Sequence, residues 1–82
     1  MFFEKQKTKP QYRIGLIMSI WESVVGNKIY ENTKIINIKK NILLIKTTTP
    51  IWRNELLFQK KDILNRLNKT QKTILIKDIH FI

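Results

Sequence analysis

The sequence predicts an α+β domain whose elements follow the order α-β-β-α-β, with the helices packed on one face of a small three-stranded sheet. Three observations carry that prediction. Apolar residues recur at helical spacing in two separate stretches, a pair of β-branched-rich runs lies between them, and a third such run closes the chain. At 82 residues the chain is one domain, long enough for a single modest core.

Residues 4–11 are polar and lysine-rich, so residues 1–11 read as a flexible basic arm, leaving residues 12–82 as the folded domain. Ile14, Ile17, Ile20, Trp21, Val24 and Val25 then recur every three or four residues, which is one buried helical stripe. Gly26 stands where a helix C-cap belongs. The segment "NKIYENT" after it forms a further helical turn that returns Ile29 and Tyr30 to the core. From Lys34 the period changes. "KIINIK" and "NILLIKT" are separated by Lys39-Lys40-Asn41, a tight turn because Asn tolerates positive φ, so the pair is an antiparallel hairpin. Its inward set is Ile36, Ile38, Leu43 and Ile45.

Thr49 is a good N-cap and Pro50 a good first helical residue, so the second long helix starts there, runs to about Leu67 or Asn68, and carries Glu55 in its first turn. On a wheel of 100 degrees per residue, Trp52, Leu56, Ile63 and Leu67 fall within roughly 60 degrees. Trp52 therefore belongs to the buried stripe, while Arg53 and Lys60 flank it with their charges in solvent. The last run, "TILIKDIHFI", is a strand in which the spacing of Ile76, Ile79 and Phe81 calls for a bulge or bend. The predicted core includes Trp21, Val24, Gly26, Leu56, Ile63, Leu67 and Phe81.

Composition limits the function. Sixteen Lys plus Arg stand against six Asp plus Glu, a formal net charge of +10. That excess favours a polyanionic partner, nucleic acid or an acidic membrane surface. A coding bias toward Lys, Ile and Asn would raise Glu as well, and Glu is scarce. Cysteine is absent, which removes thiolate nucleophiles and cysteine-based zinc sites and fits a reducing compartment. No apolar run is long enough for a signal peptide or a bilayer span, so a cytoplasmic protein is expected.

Catalytic sets are equally thin. His80 is alone, Ser19 and Ser23 have no nearby His in sequence, the acids are scattered, and Gly15 and Gly26 are the only glycines, too few for a phosphate loop. The reading is a non-enzyme without metal or cofactor. Its basic residues form three groups: the arm (Lys5, Lys7, Lys9, Arg13), the hairpin (Lys34, Lys39, Lys40, Lys46), and the second helix with its loop (Arg53, Lys60, Lys61, Arg66, Lys69, Lys72). If hairpin and helix charges converge they make a phosphate-binding stripe without base readout, for which Lys39, Lys40, Lys46, Arg53, Lys60, Lys61, Arg66 and Lys69 are the candidates. Tyr12, Tyr30 and Phe58 are the aromatics that could stack on single-stranded bases, Phe58 first because it lies opposite the apolar stripe. Ile35, Ile42 and Leu44 point away from the helices, where a one-sided sheet should be polar. That face is expected to be covered, by the N-terminal "MFF", by a protein partner, or by self-association.

Taken together, "IWESVVG" (residues 20–26), Thr33 before the first strand, "NILLI" after the turn, "PIWRNEL" (50–56), "ILNRLN" (63–68) and "IKDIHF" (76–81) resemble the DciA family of bacterial replicative-helicase loaders. The resemblance spans residues 17–81. It implies a KH-like domain that contacts a DnaB-type hexameric helicase, binds DNA, and helps place the helicase ring on single strands. Trp21 and Trp52 match the family's signature tryptophans, and Arg53, Asn54 and Glu55 match the segment after the second. Two departures stand out. The long basic extension of many members has no counterpart past Ile82, and Asn41 occupies the usual turn glycine. The GXXG loop with which true KH domains clamp RNA is also missing.

The function expected on these grounds is a DNA-replication adaptor whose partners are the helicase and DNA, single- or double-stranded. Trp52, Arg53 and the outer residues Ile35, Ile42 and Leu44 are its partner-binding candidates. The rivals are a small basic RNA-binding module of the translation or ribosome-assembly kind and a scaffolding protein with no polyanion affinity. A membrane binder ranks last, because both helices spend their apolar faces on one core.

Overall fold

The computed structural model describes residues 10–82. Six elements follow in order: α1 (Pro10–Val25), α2 (Asn27–Glu31), β1 (Thr33–Lys39), β2 (Ile42–Thr47), α3 (Pro50–Thr70) and β3 (Asp78–Phe81). The sheet order is β1-β2-β3, with β1 antiparallel and β3 parallel to the central β2. Both long helices lie on one face of this sheet, an arrangement consistent with a KH-like fold. The arm expected over residues 1–11, and "MFF" as a cover for the sheet, fall outside the described residues, except that Pro10 and Gln11 are already in α1.

The core forms where the apolar stripes meet the inner sheet face. Ile17, Trp21 and Val24 of α1, Leu56, Ile63 and Leu67 of α3, and Leu43, Ile45, Ile79 and Phe81 of the sheet are buried together. Trp21 is sunk whole, and its indole N–H is satisfied by donating to Thr33 Oγ1 at 2.9 Å, while that hydroxyl donates to the Ile29 carbonyl. Trp52 is only half-buried, packed against the margin of this core rather than inside it. Tyr30 remains 43% exposed; α2 is a single turn and returns only Ile29 to the core.

Gly26 is not a core residue. It is an exposed hinge whose N–H closes α1 on Glu22 and whose carbonyl receives Tyr30 N–H to open α2. α3 begins as its sequence implies, with Thr49 Oγ1 accepting Trp52 N–H and Pro50 in the first turn. It runs to Thr70, two or three residues beyond the expected end at Leu67 or Asn68. Glu55 lies in the second turn, where it accepts from Gln59.

In β1 the expected pleat is inverted at one point. Ile35 is buried and Ile36 is 41% exposed, the reverse of the predicted sides. The register explains it: Ile35 opposes Ile45 and Ile38 opposes Leu43, so three residues of β1 span two of β2 across a bulge between Ile35 and Asn37. Ile36 and Asn37 are both turned outward, and Ile35 drops out of the outer face.

The final run also bends, as its spacing requires. Only residues 78–81 pair as a strand, while Ile74 and Ile76 upstream are buried without one. Two side-chain amides from the end of α3 replace the ladder. Gln71 accepts Ile74 N–H and donates to Ile74 C=O, and Asn68 does the same for Ile76. Each clamp satisfies a buried peptide group that has no partner strand.

Candidate nucleic-acid interface

Lys40 and Asn41 form the hairpin turn with φ of 52° and 64°, the paired positive values of a two-residue type I′ loop. Asn41 does more than tolerate that geometry. Its Oδ1 accepts from Arg13 at 2.8 Å, its Nδ2 donates to Leu75 C=O, and its carbonyl receives Lys77 N–H. A glycine could supply the turn but neither side-chain bond. The same bonds bring Lys77, which no sequence pattern marked, beside Lys39 and Lys40 at the hairpin tip.

Strand parity then places the hairpin cations. Thr47 N–H and Ile45 C=O bond Ile82, so odd-numbered residues of β2 face β3 and even-numbered ones face β1. Lys34 and Lys46 are therefore directly opposed across the antiparallel pair, both exposed, on the outer face of the sheet. Like charges so placed repel at about 5.5 Å between Cα atoms. No carboxylate of the described residues pairs with either. Lys39 continues the same face toward the tip, and Ile36, Ile42, Leu44 and His80 lie between the lysines.

Several predicted cations have partners on the domain's own surface. Arg53 Nε donates to the Phe81 carbonyl at 2.9 Å, and Lys60 pairs with Asp78 at 3.1 Å. Both reach the free edge of β3 while remaining partly in solvent. Arg66 pairs with Asp62 one turn back and donates to Val24 C=O at the end of α1. Each of these serves a carbonyl or carboxylate of the domain itself. Asp78 is held below its ordinary carboxyl range, first by the Ile79 N–H it accepts and then by Lys60 and His80.

Hairpin and helix charges do not converge. Lys61 and Lys69 are exposed on the side of α3 turned away from its buried stripe, whereas Lys34, Lys39 and Lys46 are on the far side of the sheet. Two basic surfaces result, back to back. The helix surface also carries Phe58, 88% exposed, and Ile51, 80% exposed, one heptad apart. Trp52 lies with Ile51 in a hollow that Ile29, Glu55 and Gln59 also line.

Among the described residues no three His, Asp or Glu side chains gather as a metal site, and no helix is long and apolar enough to cross a membrane. No curated protein matches the chain. The family model described as "Dna[CI] antecedent, DciA" matches residues 2–81, a span that takes in the buried Trp21, the bulged hairpin, the Thr49-capped helix and the bent last strand. The chain belongs to the DciA family, whose general role is that of a helicase loader in DNA replication.

Proposed function

We propose that this domain is a non-enzymatic adaptor that holds DNA on the outer face and tip of its hairpin and a DnaB-type replicative helicase on another surface, raising the helicase's local concentration at opened DNA. The observation that carries the DNA half is the opposed pair Lys34 and Lys46. Two unpaired like charges across a strand pair cost stability in the free protein and are relieved by a phosphate backbone. Lys39, Lys40 and Lys77 extend that field along one surface. The helicase half is supported by the apolar surface that α3 leaves exposed away from the hairpin face, where Ile51 and Trp52 share a hollow and Phe58 stands exposed farther along the helix. Such a division lets both ligands bind at once.

Mixing the purified protein with the replicative helicase of the same cell, with and without a single-stranded oligonucleotide, and measuring mass by light scattering tests both halves. A helicase complex that also retains the oligonucleotide is expected. A complex that forms only when the oligonucleotide is absent would mean that the two ligands share one surface, and no complex at all removes the adaptor reading.

A further inference from the structure

A second feature of the surface bears on what the domain reads once DNA is present. Between α1, α2 and the free edge of β1 is a hollow of about 140 Å³, lined by Met18, Trp21, Tyr30, Thr33, Lys34 and Ile35. It is well under the roughly 300 Å³ at which pockets for drug-sized ligands begin, so its capacity is one ring system. Met18, 55% exposed, and Tyr30, 43% exposed, supply adaptable and aromatic apolar surface. The β1 backbone supplies hydrogen bonding. Because Lys34 bonds toward β2, the N–H and C=O of Ile35 are directed to the strand's unpaired edge, beside this hollow. Lys34 is both a lining residue and one of the opposed lysines, so the hollow opens onto the cationic face.

We propose that this hollow seats one unpaired nucleobase of a single strand, with its flanking phosphates held by Lys34 and Lys46. The inference rests on the DNA-holding reading above and adds a preference for unpaired bases to it. An apolar wall takes the base's flat face, and a peptide donor and acceptor meet its polar rim. A duplex offers no free base of this kind, and the two opposed lysines suit a ligand that carries an anion on each side of its ring.

The test compares binding of the whole protein to a labelled single strand, to an abasic strand of equal length, and to the matching duplex. The expected result is that the single strand binds at least about fivefold tighter than the abasic strand, that Tyr30→Ala abolishes this difference without changing affinity for the abasic strand or duplex, and that Tyr30→Phe retains it. A preference unchanged in Tyr30→Ala, or an equal loss on all three probes, overturns the nucleobase seat while leaving the DNA reading standing. Failure of the wild-type protein to bind any of the three overturns both. Tighter binding of an RNA strand with the same Tyr30 dependence keeps the seat and assigns it to RNA.

Discussion

Gly26 holds φ 89° and ψ 165°, a region that residues with a Cβ rarely enter, and an added Cβ would meet nothing within 4 Å. The penalty for replacing it is therefore conformational alone. Gly26→Ala should lower stability by about 1–3 kcal/mol. Gly15 is the opposite case: it sits within α1, exposed and equally uncrowded, so Gly15→Ala should raise stability by about 0.5–1 kcal/mol. Denaturant titration of the two variants checks the pair, and equal effects would contradict the assignment of strain to Gly26 alone. Asp78 gives a pH signature. Its folded carboxyl is more acidic than its ordinary value of 3.8, so the unfolded chain takes up the proton first as pH falls. The stabilisation is complete above that ordinary value and disappears as pH drops through the lower folded one. Asp78→Asn keeps an acceptor for Ile79 N–H and loses the charge facing Lys60. Melting curves should show a gap from wild type that is constant above about pH 5 and closes toward pH 2; a gap that widens in acid would contradict the direction.

Connections decide as much as strands do at the scale of elements. Within residues 74–77 Ile74 and Ile76 are buried while Leu75 is exposed, and with no ladder to hold the two buried residues Asn68 and Gln71 take its place. Truncating Asn68 to Ala leaves the Ile76 N–H and C=O unpaired in a buried site, at a cost of about 1–3 kcal/mol. Faster amide exchange at Ile76 and along β3, with α1 unaffected, is the expected readout, and uniform exchange across the molecule would count against a local clamp. The bulge in β1 has a similar reach. By adding one residue it sends Ile35 inward and Ile36 outward, replacing what alternation alone would have put on the outer face.

The whole molecule is two layers with guarded sheet edges and two basic sides. At β1 the bulge and the Asn37 side chain, which accepts Ile38 N–H, interrupt the free edge; at β3 Asp78 and Arg53 occupy it. Both devices discourage strand-to-strand association. Because the lysines of hairpin and α3 lie on opposite sides, their contributions to DNA binding separate. Reversing Lys39 and Lys40 to Glu should weaken DNA binding and reduce the salt dependence by about 0.7 per lost single-strand phosphate contact. Reversing Lys61 and Lys69 should leave the slope nearly unchanged. A salt titration in which both double variants lose equally would mean that DNA wraps the domain.

The sequence by itself determined the order of elements, the two helical stripes, the hairpin and its turn, the Thr49 cap and the bend before Ile79, because each depends on spacing or on local backbone chemistry within a few residues. The net charge pointed to a polyanion for a different reason: it is a sum over the chain and needs no fold. Tertiary structure alone decided which cations remain available. Arg53, Lys60 and Arg66 are spent on β3 and α1, and Asn41 binds Arg13 and Leu75, through contacts between residues up to 42 positions apart that no local pattern encodes. Likewise, only the fold could set Lys34 against Lys46, turn Lys61 to the other side of the molecule, and open the Tyr30 hollow at the edge of β1, since each depends on register and packing between distant segments.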